Sequence, residues 1–326
     1  HKIKQKAPDL PVILLSHDTI PSPDMVAADK APGIDRTFIW SGNTDILVAL
    51  IKSAEDQMNA EADTQSAGVR VILFVEDSPY YLSSLLPILY RELVGQTQAV
   101  MEGTLNEEHR LVTMRARPKI LVAGNYEEAL ALYERFEANV LGVISDVRFT
   151  RNGELDELAG VDFLKHVRNR RFDIPLLLTS SEPDNAAKAA TVPAAFVDKN
   201  SDTLHQDVRR FFKDHLGFGD FIFRLPDGTQ LGHASNLKAL EHHLKSIPEE
   251  SFKYHSNRND FSRWLFARTE MDLAAAVRPI NDNDFNDVES HRRHLVNMIA
   301  DRRKRRQKGV VADFVAAEAD FEPEFF

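Results

Sequence analysis

Five polar residues each come directly after a short apolar run of the chain: Glu76, Asp77, Asp146, Ser180 and Lys199. Three of them are carboxylic acids, and acidic oxygens form a hard site that suits Mg²⁺. A carboxylate beside that metal can attack a phosphoryl group, while a hydroxyl and an ammonium group hold the phosphoryl oxygens. The pattern predicts that Glu76 and Asp77 bind the metal and that Asp146 is the nucleophile.

The elements that must position these residues alternate between strand and helix five times. Strands are predicted at residues 71–75, 119–123, 140–145, 174–180 and 194–198, and helices at 80–94, 126–136, 160–170, 183–190 and 202–215. Five such units predict an α/β fold, a (βα)5 doubly wound parallel sheet with helices on both faces. Ligands bind beyond the carboxyl ends of the strands in such sheets, so the five polar side chains are expected at one edge.

With these motifs in this order, residues 70–216 resemble the CheY-like receiver domain of two-component response regulators, which has a flavodoxin-like fold. That family has an acidic pair after the first strand and a phosphoacceptor Asp after the third strand. A Ser or Thr follows the fourth strand, and an aromatic residue stands three positions before a Lys after the fifth. Here the aromatic residue is Phe196, three positions before Lys199.

The resemblance implies a regulatory phosphoprotein and not an enzyme. Asp146 would accept a phosphoryl group from a histidine kinase or phosphotransfer partner in a phosphorelay, and Ser180 and Phe196 would form the switch. Mg²⁺ would be held by the side chains of Glu76, Asp77 and Asp146 and by the backbone carbonyl of Arg148. The loop that follows Asp146 is about six residues longer than is usual in the family.

The first 66 residues are similar to the last two strand and helix units of this pattern. LPVILLSHD (10–18) is similar to IPLLLTSSE (174–182), but Ser41 stands where the family has its Lys. We therefore expect a partial, degenerate receiver-like module that does not accept phosphate. The open edge of a half sheet must be covered by another segment of the chain or by a partner, and a second copy in a homodimer would cover it.

Four modules are predicted along the chain. They are the partial receiver-like module at 1–66, the receiver at 69–216, a small α+β output or linker module at 217–283, and a basic amphipathic helix with an acidic tail at 284–326. In the third module, GDFIFRLPDGTQLGHA (219–234) predicts a hairpin, SNLKALEHHLKSIP (235–248) a helix capped by Ser235, and 259–277 another helix.

The stretch from Gly219 to Glu270 is similar to a segment that follows a receiver in bacterial proteins with a pyruvate phosphate dikinase or phosphoenolpyruvate synthase-like region. The resemblance implies a downstream catalytic region of that kind as the regulated partner. Neither the phosphate-binding glycine loop nor the phosphohistidine motif of that enzyme occurs in the sequence. The chain would then be the regulatory part.

The composition excludes several classes of function. The chain of 326 residues has no cysteine, which excludes disulfides, thiolate metal sites and cysteine nucleophiles. The net charge of −10 argues against a nucleic-acid partner, and the basic run RRKRRQK (302–308) is predicted to be the solvated end of a helix. Without a long apolar run or a signal-peptide pattern, we expect a cytoplasmic protein with no membrane contact.

Two alternatives remain open from the sequence. VISDVRFTRNGE is superficially similar to the nucleophile loop of haloacid dehalogenase-like phosphohydrolases, but those enzymes need an acid two residues after the nucleophile, where Arg148 stands. The other alternative is a structural adaptor that docks without being phosphorylated. The acidic pair and Lys199 argue against an adaptor.

Overall fold

A computed structural model describes residues 2–7, 10–17, 33–102 and 117–319, and the side chains of these residues except 99–102 and 306–319. Backbone contacts divide the chain into two compact units, the first comprising residues 1–95 and 116–211 and the second residues 96–115 and 212–326. No helix in the described part of the chain is both long and apolar enough to cross a membrane.

Among the described residues, the first unit contains nine strands. They are β1 (Ile13–Ser16), β2 (Arg36–Ile39), β3 (Val71–Val75), β4 (Lys119–Ala123), β5 (Val140–Asp146), β6 (Phe149–Arg151), β7 (Glu154–Asp156), β8 (Leu176–Ser180) and β9 (Ala195–Asp198). Five of them form one parallel sheet in the order β4-β3-β5-β8-β9. The prediction of a five-stranded parallel α/β sheet of the flavodoxin type is confirmed.

Helices surround this sheet. They are α1 (Lys2–Lys6), α2 (Asp45–Ala67), α3 (Pro79–Glu102), α4 (Tyr126–Phe136), α5 (Ala159–Arg170), α6 (Ala186–Ala190) and α7 (Leu204–Arg210). Helix α4 begins at the predicted cap, where the Asn125 side chain accepts a hydrogen bond from the backbone of Glu128 at 2.8 Å. The helix predicted at 202–215 is shorter, because the chain turns π-helical over residues 211–215.

The sheet supplies the core of the first unit. All five residues of β3 and all seven of β5 are buried, as expected for strands covered on both faces. Three fully buried aromatic side chains pack against them: Tyr133, Phe149 and Phe163. The buried strands hold their carboxyl ends in fixed positions, and those ends carry the acidic residues.

The long loop after Asp146 contains a β-hairpin. Strands β6 and β7 pair in antiparallel fashion, and the turn between them is Asn152-Gly153 with φ of 53° and 83°. Positive φ at both central residues is the geometry that favours an Asn-Gly pair. The Arg151 guanidinium lies 4.1 Å from the centre of the Tyr126 ring on α4, so the hairpin is fixed against the body of the unit.

The amino-terminal segment packs against the edge strand β4. Strands β1 and β2 pair in parallel, and the half copy of a receiver stays a prediction. From α2, the buried Asp56 accepts a hydrogen bond from the backbone N–H of Ile120 at 2.9 Å. Arg36 donates to the backbone carbonyl of Val122 at 2.5 Å. Residues of the predicted module 1–66 thus belong to the same unit as the sheet, and the division into four modules stays a prediction.

In its described part, the second unit contains a hairpin and five helices. These elements are β10 (Phe221–Arg224), β11 (Gln230–Ala234), α8 (Leu237–Leu244), α9 (Glu249–Ser256), α10 (Asp260–Ala267), α11 (Met271–Val277) and α12 (Val288–Ala319). The antiparallel hairpin agrees with the expectation. The prediction of one helix at 259–277 is wrong, because the chain breaks at Thr269 with φ of 61°. Helix α8 is capped by Asn236 and not by Ser235.

Candidate functional site

Three carboxylates meet at the carboxyl edge of the sheet. Glu76 and Asp77 directly follow β3, and Asp146 is the last residue of the neighbouring β5. One carboxylate oxygen from each of the three lies within 4.8 Å of the others. Glu76 is 1% exposed and Asp146 is 8% exposed, so two of these acids are buried. The structure therefore brings together the acidic side chains that the sequence predicted as metal ligands.

Lys199 lies between two of these acids. Its Nζ is 2.6 Å from Oε2 of Glu76 and 2.9 Å from Oδ1 of Asp146, and the ammonium group is buried. The backbone N–H of Lys199 donates to the carbonyl of Ser180 at 2.7 Å, which fixes the lysine to the end of β8. One cation among three acids leaves the cluster with an excess of negative charge when all groups are ionised.

The electrostatics of the cluster reflect that excess. The net pKa of Glu76 is raised to about 8: burial raises it most, the positive charge of Lys199 opposes the rise, and the negative charge of Asp146 adds to it. Burial, followed by the charge of Asp146, raises the pKa of Asp77 to about 6. Burial alone would lower the pKa of Lys199, but the two carboxylates outweigh burial and hold it above its usual value. Another cation at this site would favour the ionised acids.

A divalent cation fits the cluster. Carboxylate oxygens are the ligands that Mg²⁺ prefers, and the partly exposed Asp77 leaves room for the waters that this ion retains. Glu76, Asp77 and Asp146 would hold the ion. The carbonyl of Arg148 stays a prediction as a fourth ligand.

Ser180 lies one residue beyond Asp146 along the sheet, because Asp146 pairs with Thr179. The Ser180 hydroxyl accepts hydrogen bonds from the backbone of Glu182 at 3.0 Å and from the Asn185 side chain at 2.8 Å. These two bonds occupy the acceptor positions of the hydroxyl and leave its hydrogen to donate.

The other predicted residues lie nearby but outside the acidic cluster. Phe196 is half-buried on β9 against the core of the sheet, a position between buried and exposed that a switch residue would need. Arg148 is exposed, and its guanidinium lies 3.6 Å from Glu157 and 3.4 Å from Glu182. The Arg148 side chain thus faces acids on the surface.

Two residues of the site were missed from the sequence. The ring of Tyr81, in the first turn of α3, lies 4.4 Å from Nζ of Lys199, and its hydroxyl donates to Asn200 at 3.3 Å. Gly160 lies against the backbone of Asp146, where a Cβ atom would be 1.8 Å from the carbonyl oxygen. Tyr81 and Lys199 are distant in sequence, and the contact of Gly160 with Asp146 depends on the path of the loop between them. No local sequence pattern therefore predicts either contact.

No protein-family model matches the chain, and a search of curated proteins gave no match. Among solved structures, the chain is similar to a response regulator receiver domain protein from Clostridium thermocellum, with 17% identity and a TM-score of 0.31 over 45% of this chain and 94% of that one. It is also similar to the chemotaxis protein CheY4 of Vibrio cholerae, with 20% identity and a TM-score of 0.28 over 45% of this chain and 99% of that one. The first of these proteins carries the family name that the sequence motifs predicted.

Proposed function

We propose that the first unit is a phosphorylation-dependent receiver in a two-component or phosphorelay pathway, with Asp146 as the phosphoacceptor. The observation that carries the proposal is the position of Lys199, which touches both the predicted acceptor Asp146 and the predicted metal ligand Glu76. A buried ammonium group beside one acid would be an ordinary ion pair. Here it joins two strand ends that also carry a third acid.

The proposed reaction transfers a phosphoryl group from a phosphohistidine on a histidine kinase or phosphotransfer protein. A carboxylate oxygen of Asp146 forms the bond to phosphorus as the P–N bond breaks, and the electron pair of that bond stays on the imidazole. Bound Mg²⁺ would neutralise charge on the phosphoryl oxygens. Lys199 Nζ, already 2.9 Å from Asp146, would hold a phosphoryl oxygen by a charge-assisted hydrogen bond.

The proposed response starts at the Ser180 hydroxyl. Its hydrogen is available to donate to a phosphoryl oxygen on Asp146, and a shift of Ser180 would alter the surface around the half-buried Phe196 on the next strand. A phosphoenolpyruvate synthase-like catalytic region or a second copy of the chain would read that surface. The cytoplasm is the proposed setting, because the phosphodonor proteins act there.

The test is labelling by acetyl phosphate with Mg²⁺, read by intact mass as the gain of one phosphoryl group. We expect wild type to be labelled and Asp146→Asn not to be. Asp184→Asn, an exposed acid in the same unit, is the matched control and should be labelled like wild type. Equal labelling of wild type and Asp146→Asn would contradict the proposal.

A second measurement distinguishes a receiver from a phosphohydrolase. An acyl phosphate on Asp146 is cleaved by hydroxylamine, and a receiver should not turn over a generic phosphomonoester. Arg148 cannot donate or accept the proton that a hydrolase needs at that position, since its guanidinium stays charged. Turnover of p-nitrophenyl phosphate that disappears in Asp146→Asn would favour the hydrolase.

A further inference from the structure

The second unit contains a cavity of about 260 Å³, and all of its lining residues belong to that unit. Residues from two stretches of the chain line it: 213–224, which ends with strand β10, and 254–264, which runs from helix α9 into helix α10. Ligand sites for drug-sized molecules are usually roughly 300–1,000 Å³, so this cavity suits a smaller molecule.

The floor of the cavity is a fixed network around His255. This side chain is buried, its Nε2 accepts the backbone N–H of Arg224 at 2.8 Å, and its Nδ1 lies 2.8 Å from Oδ2 of Asp260. Because Nε2 is an acceptor, the imidazole is neutral and its proton is on Nδ1, donated to Asp260. Both ring nitrogens are occupied, so His255 holds the wall together and is not free for acid–base chemistry.

Positive charge predominates among the groups that are left for a ligand. Four basic side chains line the cavity: Lys213, Arg224, Arg258 and Arg263. Of the three acids in the lining, Asp260 already pairs with His255, Arg258 and Arg263, and Asp220 lies 2.9 Å from Nδ1 of His233. The third acid, Asp214, is exposed, so Lys213 and Arg224 together still leave an excess of positive charge. In the described part of the chain, the guanidinium of Arg224 forms no hydrogen bond or ion pair.

Aromatic side chains form the rest of the wall. Phe221, Tyr254 and Trp264 line the cavity beside the basic groups. The Trp264 ring is fixed from behind, since its Nε1 donates to the carbonyl of Gly219 at 3.0 Å and the Arg268 guanidinium lies 3.7 Å from its centre. An apolar wall next to cationic groups suits a ligand with an anionic head and a small carbon part.

We propose that this cavity binds a small phosphate monoester, with the Arg224 guanidinium as the main contact to the phosphate. Guanidinium groups bind phosphate through paired N–H donors, and a doubly charged phosphate gains more from several cations than a single carboxylate does. The volume limits the organic part to a few carbon atoms. The proposal does not depend on phosphorylation of Asp146.

The test is isothermal titration calorimetry of the full chain without Mg²⁺, with glycerol 3-phosphate as the probe. We expect saturable binding, no binding of glycerol, and succinate weaker by about tenfold or more. Inorganic phosphate should bind more weakly than the ester, because it lacks the carbon part. Succinate as tight as the phosphate ester would overturn the proposed ligand class, and so would the absence of saturation with glycerol 3-phosphate.

Arg224→Gln removes the charge and keeps the backbone N–H that donates to His255, so the hydrogen-bonded network around His255 should be retained. We expect it to weaken binding by about tenfold or more, and Arg258→Gln to weaken it less. Arg293→Gln, an exposed arginine on α12 outside the cavity, is the matched control and should stay within about twofold of wild type. Thermal melting checks that each variant folds.

Two results would refute the assignment. An equal loss in Arg224→Gln and Arg293→Gln would show non-specific attraction to a basic surface. Loss of binding in Asp146→Asn, with Arg224→Gln unchanged, would place the ester at the acidic edge of the first unit.

Discussion

Replacing Asp56 by alanine is expected to loosen the edge strand β4 of the first unit. Asp56 is fully buried, and three groups donate hydrogen bonds to it: the Ile120 backbone N–H at 2.9 Å, the Tyr90 hydroxyl at 2.9 Å and the Arg117 guanidinium at 2.6 Å. Alanine would leave all three without this acceptor. The Arg117 side chain is 12% exposed, so water can replace only part of the lost pairing.

The expected loss in free energy of unfolding is large for a single substitution. Removing one partner of a buried ion pair costs about 3–5 kcal/mol, because the other charge stays buried without compensation. Partial access of water to Arg117 places the expected value near the lower end, at about 3 kcal/mol. Since about 1.4 kcal/mol is a factor of ten, the Ile120 amide should exchange its hydrogen about a hundred times faster.

Equilibrium unfolding in urea, followed by circular dichroism, measures the loss in free energy of unfolding. Hydrogen exchange read by NMR measures the exchange rate of the Ile120 amide. Asp63→Ala is the matched control on the same helix. The Asp63 carboxylate lies 2.7 Å from Nζ of Lys119 but is 36% exposed, so its loss should cost about 0–1 kcal/mol. If Asp56→Ala costs no more than Asp63→Ala, or leaves exchange of Ile120 unchanged, the reasoning is refuted.

Three further predictions concern the acidic edge. Because Glu76 and Asp77 have raised pKa values of about 8 and about 6, the folded state retains protons that the unfolded chain releases. Without metal, the stability of the first unit should therefore fall as pH rises from about 4 to 8. Urea unfolding at pH 5.5, 7 and 8.5 checks this stability. Mg²⁺ affinity should rise over the same range, and titration calorimetry at the same three pH values, with the protons released, checks the affinity; affinity independent of pH would exclude Glu76 as a ligand. Lys199→Met should lower stability by about 3 kcal/mol and yet tighten Mg²⁺ binding, since a competing cation is removed; weaker Mg²⁺ binding in a folded variant would contradict this. Gly160→Ala should cost about 1–3 kcal/mol in urea unfolding and reduce labelling by acetyl phosphate, because the new Cβ would displace the Asp146 carbonyl. The control is Gly95→Ala, which has open space around the new Cβ and should not destabilise the protein.

Much of the sheet could be predicted from the sequence. The apolar runs at 71–75 and 119–123 coincide with β3 and β4 to the residue, because strands buried on both faces are continuous in their hydrophobicity. Once the strands and their parallel order are known, the positions of Glu76, Asp77 and Asp146 at one edge follow. The acidic cluster was therefore predictable without knowledge of any tertiary contact.

The rest depends on contacts between distant residues. A buried Asp56 cannot be told from an exposed acid by helical pattern, since its partners lie more than thirty residues away in sequence. The hairpin after Asp146 is different, because Asn152-Gly153 is a turn signal that the sequence itself carries. At α8, Ser235 and Asn236 are both good caps, and only the backbone geometry selects Asn236.

The side chains that cover β4 also determine how other chains can join the sheet. Asp56 and Arg36 occupy outward-facing backbone groups of that strand, so a peptide cannot add a strand there by main-chain hydrogen bonds. The sheet order ends at β9 on the other side, where no described strand pairs with its outer edge. A partner that adds a strand to this five-stranded sheet must therefore approach along β9, beside Phe196 and close to Lys199.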